Sequence, residues 1–318
     1  MNKALLHTDV QEFIRTYPDD LSKLAFAGSP FPDISTSELL QQIDSRRAIA
    51  KKLPEWFETV GIIYPPKLNM EQTSSSATGA FKGSLTKGKH LVDITGGFGV
   101  DSYFFAEQFE KVTHFETTKA LSEIATQNFE VLGKNNINTI HGDGLKGIKG
   151  NQYDVIYVDP SRRNEKKGKV FFLRDCKPNV PDNIEFLLQH CNTLLIKTSP
   201  MLDIAVGLQE LKKVASIHVV ALQNEVKELL WFIEENTSND IRIHTTNITN
   251  RGNEYFSFVY NQEKSIQYST PKQFLYEPNA AILKSGGFQY ITNTYAVTKL
   301  HKHSHLYTSE VLQEFPGR

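Results

Sequence analysis

The stretch from Leu91 to Asp101 constrains the fold of this chain more than any other. It reads Leu-Val-Asp-Ile-Thr-Gly-Gly-Phe-Gly-Val-Asp, so an apolar run ends in an acid and a glycine-dense turn follows. Glycine lets the backbone turn sharply and approach a ligand without a Cβ in the way. A helix that starts near Asp101 would direct free N–H groups at such a ligand. The pattern predicts a strand, a tight turn and a helix, with Asp93 at the sheet edge where open α/β folds bind ligands.

The turn alone leaves the ligand open. The dinucleotide pattern G-x-G-x-x-G matches at Gly97 and Gly99, but Ser102 occupies the third glycine position. A nicotinamide-dependent enzyme therefore fits only in part. A strand-to-helix turn that binds no ligand is a further interpretation.

The motif D-x-T-G-G-F-G-x-D resembles the first motif of the class I S-adenosylmethionine-dependent methyltransferases. The resemblance implies a Rossmann-like methyltransferase sheet whose glycine turn lies under the methionine and ribose of the cofactor. It also implies that the acid at Asp93 lies close to the cofactor's amino group. The candidate cofactor-binding residues of this motif are Asp93, Thr95, Gly96, Gly97, Gly99 and Asp101.

Composition excludes several classes of protein. Of the 318 residues, 39% are hydrophobic and 22% charged, enough for a sizeable core. The net charge of −1 argues against a basic nucleic-acid coat, so a polyanion site has to be a local patch. Cys176 and Cys191 lack zinc-ligand spacing. With no apolar run of about 18 residues and no signal core, the sequence predicts a cytoplasmic protein that does not enter a membrane.

Periodicity divides the chain into three predicted domains. Residues 1–70 read as an N-terminal helical domain interrupted by prolines. Residues 71–265 alternate strands and helices, which predicts an α/β fold with a doubly wound, Rossmann-like sheet. Residues 270–318 predict a small C-terminal α+β unit, with a ferredoxin-like fold as one option. The predicted strands cover residues 90–95, 112–116, 139–143, 153–159, 193–198, 217–222, 228–233, 241–248 and 255–260, the last two as an antiparallel pair at the sheet edge.

Acids follow three of the predicted parallel strands, whose carboxyl ends should meet at one edge. Glu116 ends the second strand, 19 residues after Gly97, where an acid accepts hydrogen bonds from the ribose hydroxyls of an adenosine. Alone, this spacing fits NAD and S-adenosylmethionine equally. Asp143 follows the third strand, and the methyltransferase resemblance implies that it reaches the adenine amine. Asp159 ends the fourth strand before a proline, a pair for which a dehydrogenase has no need.

The strand end Asp159-Pro160-Ser161-Arg162 supplies the candidate catalytic residues. Methyltransferases that act on exocyclic amines of bases carry Asp-Pro-Pro-Tyr or Asn-Pro-Pro-Tyr here. That resemblance implies that Asp159 accepts a hydrogen bond from the target amine, while the proline stiffens the turn. Ser161 and Arg162 replace the second proline and the base-stacking aromatic residue, although an Arg plane can also stack on a base. Methylation at pyrimidine C5 would need a nucleophilic cysteine, which position 161 lacks.

Residues 72–83 are rich in small side chains and have two interpretations. One is a linker. The other follows from methyltransferases related to the cap trimethylguanosine synthase, in which a Ser/Thr-rich segment before the first strand closes over the cofactor. That resemblance makes Thr78 and Lys82, together with Ser76, candidates for cofactor binding.

Four motifs together resemble a bacterial subgroup of class I methyltransferase-like proteins with a THUMP-like C-terminal domain. They lie at residues 93–101, 159–163, 197–203 and 277–281. Members of the subgroup continue past the equivalent of Arg318 into that domain, so the sequence is expected to be a truncated form. THUMP domains bind RNA, and the resemblance therefore implies an RNA substrate.

Residues 162–177 concentrate positive charge just after the fourth strand. Seven basic and two acidic residues give this basic segment a net charge of +5, with Phe171 and Phe172 among them. A solvated connection and a phosphate-binding loop are both consistent with it. The basic residues are Arg162, Arg163, Lys166, Lys167, Lys169, Arg174 and Lys177.

These patterns predict an S-adenosylmethionine-dependent methyltransferase that modifies an RNA nucleobase, mainly by positioning its reactants. Two other functions stay open. One is an RNA-binding module of the same fold that has lost catalysis, which the missing Pro-Tyr pair favours; the other is an NAD-dependent oxidoreductase.

His301, His303 and His305 would share one face of a strand, but no carboxylate pattern accompanies them and no metal site is predicted.

Overall fold

The computed structural model of the protein describes residues 1–18, 20–162, 172–237, 240–262 and 265–318. The chain divides into two compact units, Met1–Tyr157 and Val158–Arg318. Within the described residues, the structure contains no helix that is both long and apolar enough to cross a bilayer. The three domain boundaries expected from the sequence stay predictions.

Helices fill the N-terminal part of the first unit, as the periodicity predicted. The longest of them begins after Ser35, whose hydroxyl accepts from the Glu38 N–H while the Glu38 carboxylate accepts from the Ser35 N–H. This capping box satisfies two N–H groups that the helix itself cannot. The helices are α1 (Thr8–Thr16), α2 (Leu21–Ala27), α3 (Thr36–Ile49), α4 (Pro54–Glu58), α5 (Lys67–Gln72) and α6 (Ser76–Ser84).

Helix α6 occupies most of the segment that the sequence left open between a linker and a closing segment. Ser75 caps it, and the Thr78 side chain completes a second capping box. Two glycines let α6 approach the helix after the glycine turn, since a Cβ on Gly79 would lie 2.3 Å from the ring of Phe104. The segment is an ordered helix packed inside the first unit, so the linker interpretation is wrong.

Four parallel strands form the sheet of the first unit in the order β4-β1-β2-β3. Register aligns Asp93 of β1 with His114 of β2 and Tyr157 of β4, and Glu116 of β2 with His141 of β3. The strand ends therefore lie side by side, as expected for parallel strands. The elements are β1 (Gly88–Asp93), α7 (Val100–Phe105), β2 (Phe109–Glu116), α8 (Lys119–Val131), β3 (Ile137–His141), α9 (Gly144–Gly147) and β4 (Tyr153–Val158).

Strand β2 begins at Phe109, earlier than the predicted residue 112. The two residues that follow Phe109 are Glu110 and Lys111, both charged and exposed, so their sequence hides a strand start. The ladder to β1 nevertheless includes Phe109 and Lys111. Tertiary pairing here overrides the low strand propensity of charged residues.

One hydrophobic core joins the N-terminal helices to the sheet of the first unit. Trp56 packs on Phe98, with ring centroids 4.6 Å apart, and both belong to a buried cluster that includes Phe129. The buried Asn128 side chain accepts from the Ile63 N–H and donates to the Ile63 carbonyl, each at 2.9 Å. These contacts make the N-terminal helices part of the same folded body as the strands.

The second unit contains five neighbouring strands in the order β11-β10-β8-β9-β7. Only β8 and β10 pair in parallel, and the other pairings are antiparallel. The β10–β11 pair at the sheet edge confirms the antiparallel pair expected there. The elements are α10 (Val180–Leu188), β7 (Cys191–Thr198), α11 (Ile204–Glu210), β8 (Val214–Leu222), β9 (Glu225–Glu234), β10 (Arg242–Thr249) and β11 (Gly252–Val259).

A small antiparallel sheet in the order β12-β14-β13 lies in the C-terminal part of this unit. Residues 301–305 precede its strand β14 and belong to no strand, so the three alternating histidines do not share a strand face. The elements are β12 (Phe274–Tyr276), α12 (Ala280–Ser285), α13 (Ile291–Thr294), β13 (Thr298–Lys299) and β14 (Tyr307–Ser309). Alternating strands and helices, with parallel pairing throughout the first unit, confirm the predicted α/β class.

Candidate active site

The glycine turn after β1 is held against the neighbouring strand β2. Gly97 and Gly99 have φ values of 58° and 94°, in the left-handed region that glycine adopts without strain. The Gly96 N–H donates to the carbonyl of Phe115 at 2.8 Å, and the Gly97 N–H donates to the Glu116 carboxylate at 3.0 Å. The glycines predicted to form the turn therefore do so, and they bring Glu116 to it.

Asp93 lies under this turn, almost fully buried, and uses its oxygens within the turn. Its Oδ1 accepts from the Thr95 N–H at 2.9 Å and from the Thr95 hydroxyl at 3.3 Å. Its Oδ2 accepts from the Ser102 hydroxyl at 2.8 Å. Asp93 thus fixes the start and the end of the turn, and Ser102 has a defined partner at the position where the dinucleotide pattern has glycine.

His114 forms the floor beneath the turn. Its Nδ1 lies 3.1 Å from the Ser102 hydroxyl, and a Cβ added to Gly96 would lie 2.2 Å from its Cε1. Burial lowers the pKa of His114 to about 4, so the ring is neutral at neutral pH. Because the Ser102 proton points to Asp93, the hydrogen-bond network assigns the ring proton to Nδ1. No pattern in the sequence predicts this role, since a histidine in an apolar strand is usually a core residue whose hydrogen bonds are satisfied.

Glu116 and Asp143 follow adjacent strands and differ in exposure. The buried Glu116 accepts from the Gly97 N–H through Oε2 and from the Thr118 N–H, at 2.6 Å, through Oε1. The exposed Asp143 caps α9 by accepting from the Leu145 N–H at 3.0 Å. An ionised carboxylate offers about four lone-pair sites, so both acids keep acceptor capacity for a ligand.

A buried lysine network lies between α6, α7 and β4. The Lys82 side chain is fully buried, and its Nζ is 2.7 Å from Asp101 Oδ1 and 3.1 Å from the Ser74 hydroxyl. The Tyr157 hydroxyl donates to Asp101 Oδ2 at 2.6 Å. The structure thus brings together two predicted residues, Lys82 and Asp101, and adds Ser74 and Tyr157, which the sequence did not single out. Thr78 is buried nearby in sequence, but its hydroxyl serves the cap of α6.

In the second unit, Asp159 is paired with Lys197, which begins the motif at residues 197–203 but to which the sequence analysis assigned no role. Asp159 Oδ2 lies 2.6 Å from Lys197 Nζ at the end of β7. The lysine side chain is 12% exposed and the aspartate side chain 38%. A signal did exist in the sequence, because Lys197 interrupts the apolar run 194–196 just before the strand ends.

A short strand follows Asp159 and Pro160. Pro160 is buried, and β5 (Ser161–Arg162) pairs antiparallel with β6 (Cys176–Lys177). Near the second of these strands, Glu210 of α11 accepts from the Leu173 N–H at 2.7 Å and from Arg174 Nε at 2.7 Å. Residues 163–171, which include Arg163, Lys166, Lys167 and Lys169, lie outside the described residues, as does the side chain of Arg162.

Among the described residues, no three His, Cys, Asp or Glu side chains are grouped as a metal site would require.

Two models of known protein families match separate parts of this chain. A family model for protein-L-isoaspartate(D-aspartate) O-methyltransferases matches residues 64–164, and a model of a ferredoxin-like domain matches residues 274–316. The second match confirms the predicted ferredoxin-like C-terminal unit.

Two similar proteins bear on function. The crystal structure of a putative methyltransferase from Porphyromonas gingivalis W83 is 31% identical, with a TM-score of 0.90, and the match covers 99% of this chain and 81% of that one. An uncharacterized RNA methyltransferase from Mycoplasma mobile is 30% identical over 92 residues, which are 28% of this chain. This chain spans only 25% of the length of that curated relative.

Proposed function

This chain belongs to the methyltransferase family of the Porphyromonas gingivalis protein, and we propose that it transfers a methyl group from S-adenosylmethionine to an RNA nucleobase. The observation that carries the cofactor assignment is the match to that methyltransferase over 99% of this chain, and Glu116, held at the glycine turn by the Gly97 N–H, supports a cofactor that contains adenosine. An acid in this position at the end of the second strand binds the ribose hydroxyls of an adenosine. Ser102 supports the same assignment. Dinucleotide-binding turns have a glycine at this position, whereas here the Ser102 hydroxyl is hydrogen-bonded to Asp93 and His114.

S-adenosylmethionine supplies, when bound, an electrophilic methyl group on a positively charged sulfur. The chain's own residues have to bind and orient it. Glu116 offers free lone pairs to the ribose hydroxyls, and Asp143 offers its exposed carboxylate to the adenine amine. Gly96, Gly97 and Gly99 keep side chains out of the turn.

The remaining predicted cofactor residues act in this proposal by shaping the site. Asp93 holds Thr95 and Ser102, and so fixes the path of the turn. Lys82 neutralises Asp101, which Tyr157 also contacts. A buried network of this kind fixes the position of α6 relative to α7, and Thr78 supports it by capping α6.

Two observations support RNA as the acceptor. The Mycoplasma mobile relative carries RNA methyltransferase in its name. The basic segment, residues 162–177, has a net charge of +5 and begins three residues after Asp159, so it is suited to bind phosphates. In the reaction, Asp159 accepts a hydrogen bond from the target group, and Pro160, Ser161 and Arg162, the next residues in the sequence, are the other candidate catalytic residues. The THUMP-like association stays a prediction from the sequence.

Calorimetry with purified protein tests the cofactor assignment. We expect S-adenosylmethionine and its demethylated product to bind, and NAD not to bind. Glu116→Ala should weaken both affinities by about 10- to 100-fold, because it removes a charge-assisted hydrogen bond worth roughly 1.5–3 kcal/mol. Glu110→Ala is the matched control, since Glu110 is an exposed acid on the same strand.

Binding of NAD without binding of S-adenosylmethionine would make the chain an oxidoreductase candidate. Binding of S-adenosylmethionine without transfer to any RNA would favour the non-catalytic module, which the replacement of the Pro-Tyr pair by Ser161 and Arg162 already suggests. If the enzyme is active, Asp159→Ala tests whether Asp159 acts on the acceptor or on the cofactor. It should abolish transfer and leave cofactor affinity within a few-fold.

A further inference from the structure

The Asp159–Lys197 pair combines a nearly buried cation with a more exposed anion. Lys197 Nζ lies 2.6 Å from Asp159 Oδ2, with side-chain exposures of 12% and 38% respectively. A short, charge-assisted contact of this kind fixes the rotamer of the carboxylate. The more exposed partner is the one that follows β4 and precedes Pro160, so the fixed group is also the one open to a ligand.

The strand end that carries Lys197 is itself held rigidly. Thr198, the next residue, is buried and accepts a hydrogen bond from Trp231 Nε1 at 3.0 Å. Trp231 is fully buried, and a Cβ on Gly207 would lie 2.3 Å from its ring. A lysine anchored in this way can hold a carboxylate to the tolerance that catalysis needs.

A buried acid shares the sheet face of Lys197. Lys197 is opposite Leu230 in the antiparallel β7–β9 ladder, and Glu228 lies two residues from Leu230 on the same face of β9. Diagonal neighbours of this type are within reach of long side chains. Lys197 therefore contacts an exposed acid, and a buried acid lies diagonally opposite it in the ladder.

A gain in folding stability does not explain why an ion pair is present at the end of β7. Removing an ammonium group from water costs free energy that a single ion pair seldom recovers in full, and an apolar side chain at the end of β7 would avoid that cost. A charged group retained in such a place is therefore a candidate for a functional role.

We propose that Lys197 is a positioning residue for methyl transfer: its ammonium group orients Asp159 as a hydrogen-bond acceptor, so that the acceptor atom must carry a hydrogen. This inference rests on the proposed function. An ionised carboxylate only accepts hydrogen bonds. It therefore orients an exocyclic amine or a hydroxyl, and it repels the lone pair of a bare ring nitrogen such as N7 of guanine or N1 of adenine.

The chemical step balances without another reactant. A bond forms between the acceptor nitrogen and the methyl carbon, the carbon–sulfur bond breaks, and its electron pair returns to the sulfur. The nitrogen then loses the proton that Asp159 accepts and passes on to water. Lys197 keeps its own proton throughout.

Kinetics and product analysis on the full chain test the proposal. Lys197→Met should lower kcat by about 100-fold, the size of a positioning defect, while KM for the cofactor stays within a few-fold. Lys197→Arg should restore part of the activity, because the cation is retained. In an Asp159→Asn background the Lys197→Met change should add little, whereas a purely structural lysine would lower activity by the same factor in both backgrounds.

Lys227→Met is the matched control, since Lys227 pairs with Glu225 at the same 2.6 Å but in exposed positions. It should leave kcat unchanged. Digestion of the methylated RNA to nucleosides and mass spectrometry should find N-methylation of an exocyclic amine, or O-methylation, and neither 7-methylguanosine nor 1-methyladenosine.

Two results would overturn the role of Lys197 and leave the methyltransferase function intact. One is methylation of a ring nitrogen that carries no hydrogen, and the other is an equal loss of activity from Lys197→Met in both backgrounds. Absence of transfer by the wild type to any RNA would overturn both.

Discussion

His114 is a buried base whose protonation opposes folding. Its pKa falls from 6.5 to about 4 on folding because burial disfavours the charged ring. Between these two values the unfolded chain binds a proton that the folded chain does not, so stability is full above pH 6.5 and decreases as the pH falls toward 4. The linkage amounts to about 3 kcal/mol.

We therefore expect His114→Asn to flatten the pH dependence of stability in this window. Urea unfolding at pH 7, 6, 5 and 4 measures it. His7→Asn is the control, because His7 is exposed. The same decrease from pH 7 to 4 in wild type and His114→Asn would show that His114 is not the group responsible. The half-buried His218, whose pKa burial lowers to about 3, contributes equally to both proteins and cancels in the comparison.

The turn between β1 and α7 depends on close approach to β2. A methyl group at position 96 would lie 2.2 Å from the His114 ring, which is buried and cannot move aside. Gly96→Ala should therefore cost about 1–3 kcal/mol of stability and weaken cofactor binding, since the whole turn has to shift.

Gly142→Ala is the control for this element. Gly142 follows β3, and a Cβ there meets nothing within 4 Å. The urea midpoint and the calorimetric affinity of both variants provide the comparison. If Gly96→Ala behaves like Gly142→Ala in both measurements, the turn does not rest on His114 as closely as the structure indicates.

The elements around the site differ in how well the sequence predicted them. Local chemistry predicted β1, the glycine turn and the acids after the strands, because glycine density and apolar runs are visible in short stretches. Helix α6 was left open, since its small residues carry no clear apolar face. The Ser102–His114 and Asp159–Lys197 contacts join residues from different elements, and no pattern within one element reports a partner on another.

At the scale of the whole molecule, a net charge of −1 coexists with a basic segment of +5. If this segment binds RNA phosphates, replacing Lys166, Lys167 and Lys169 with Ala should reduce the slope of log affinity against log salt by about 2, at roughly 0.7 per phosphate contact on a single strand. Fluorescence anisotropy with an RNA oligonucleotide across a salt series measures this slope.

A second triple variant controls for total charge. Lys3, Lys51 and Lys149 are exposed, and their replacement with Ala changes the net charge by the same amount. Its salt slope should stay that of the wild type. If both triple variants reduce the slope equally, RNA responds to overall charge and the basic segment is only a solvated connection.

The shared core of the first unit also governs how this chain folds as it is synthesised. Trp56 packs on Phe98, and Asn128 and Phe129 complete the same interior. At about 5–20 residues per second, the ribosome adds Phe129 on the order of ten seconds after Trp56. Until then the core that buries this indole lacks the side chains of α8, so we expect the nascent chain to be more exposed to chaperone capture and aggregation before α8 emerges.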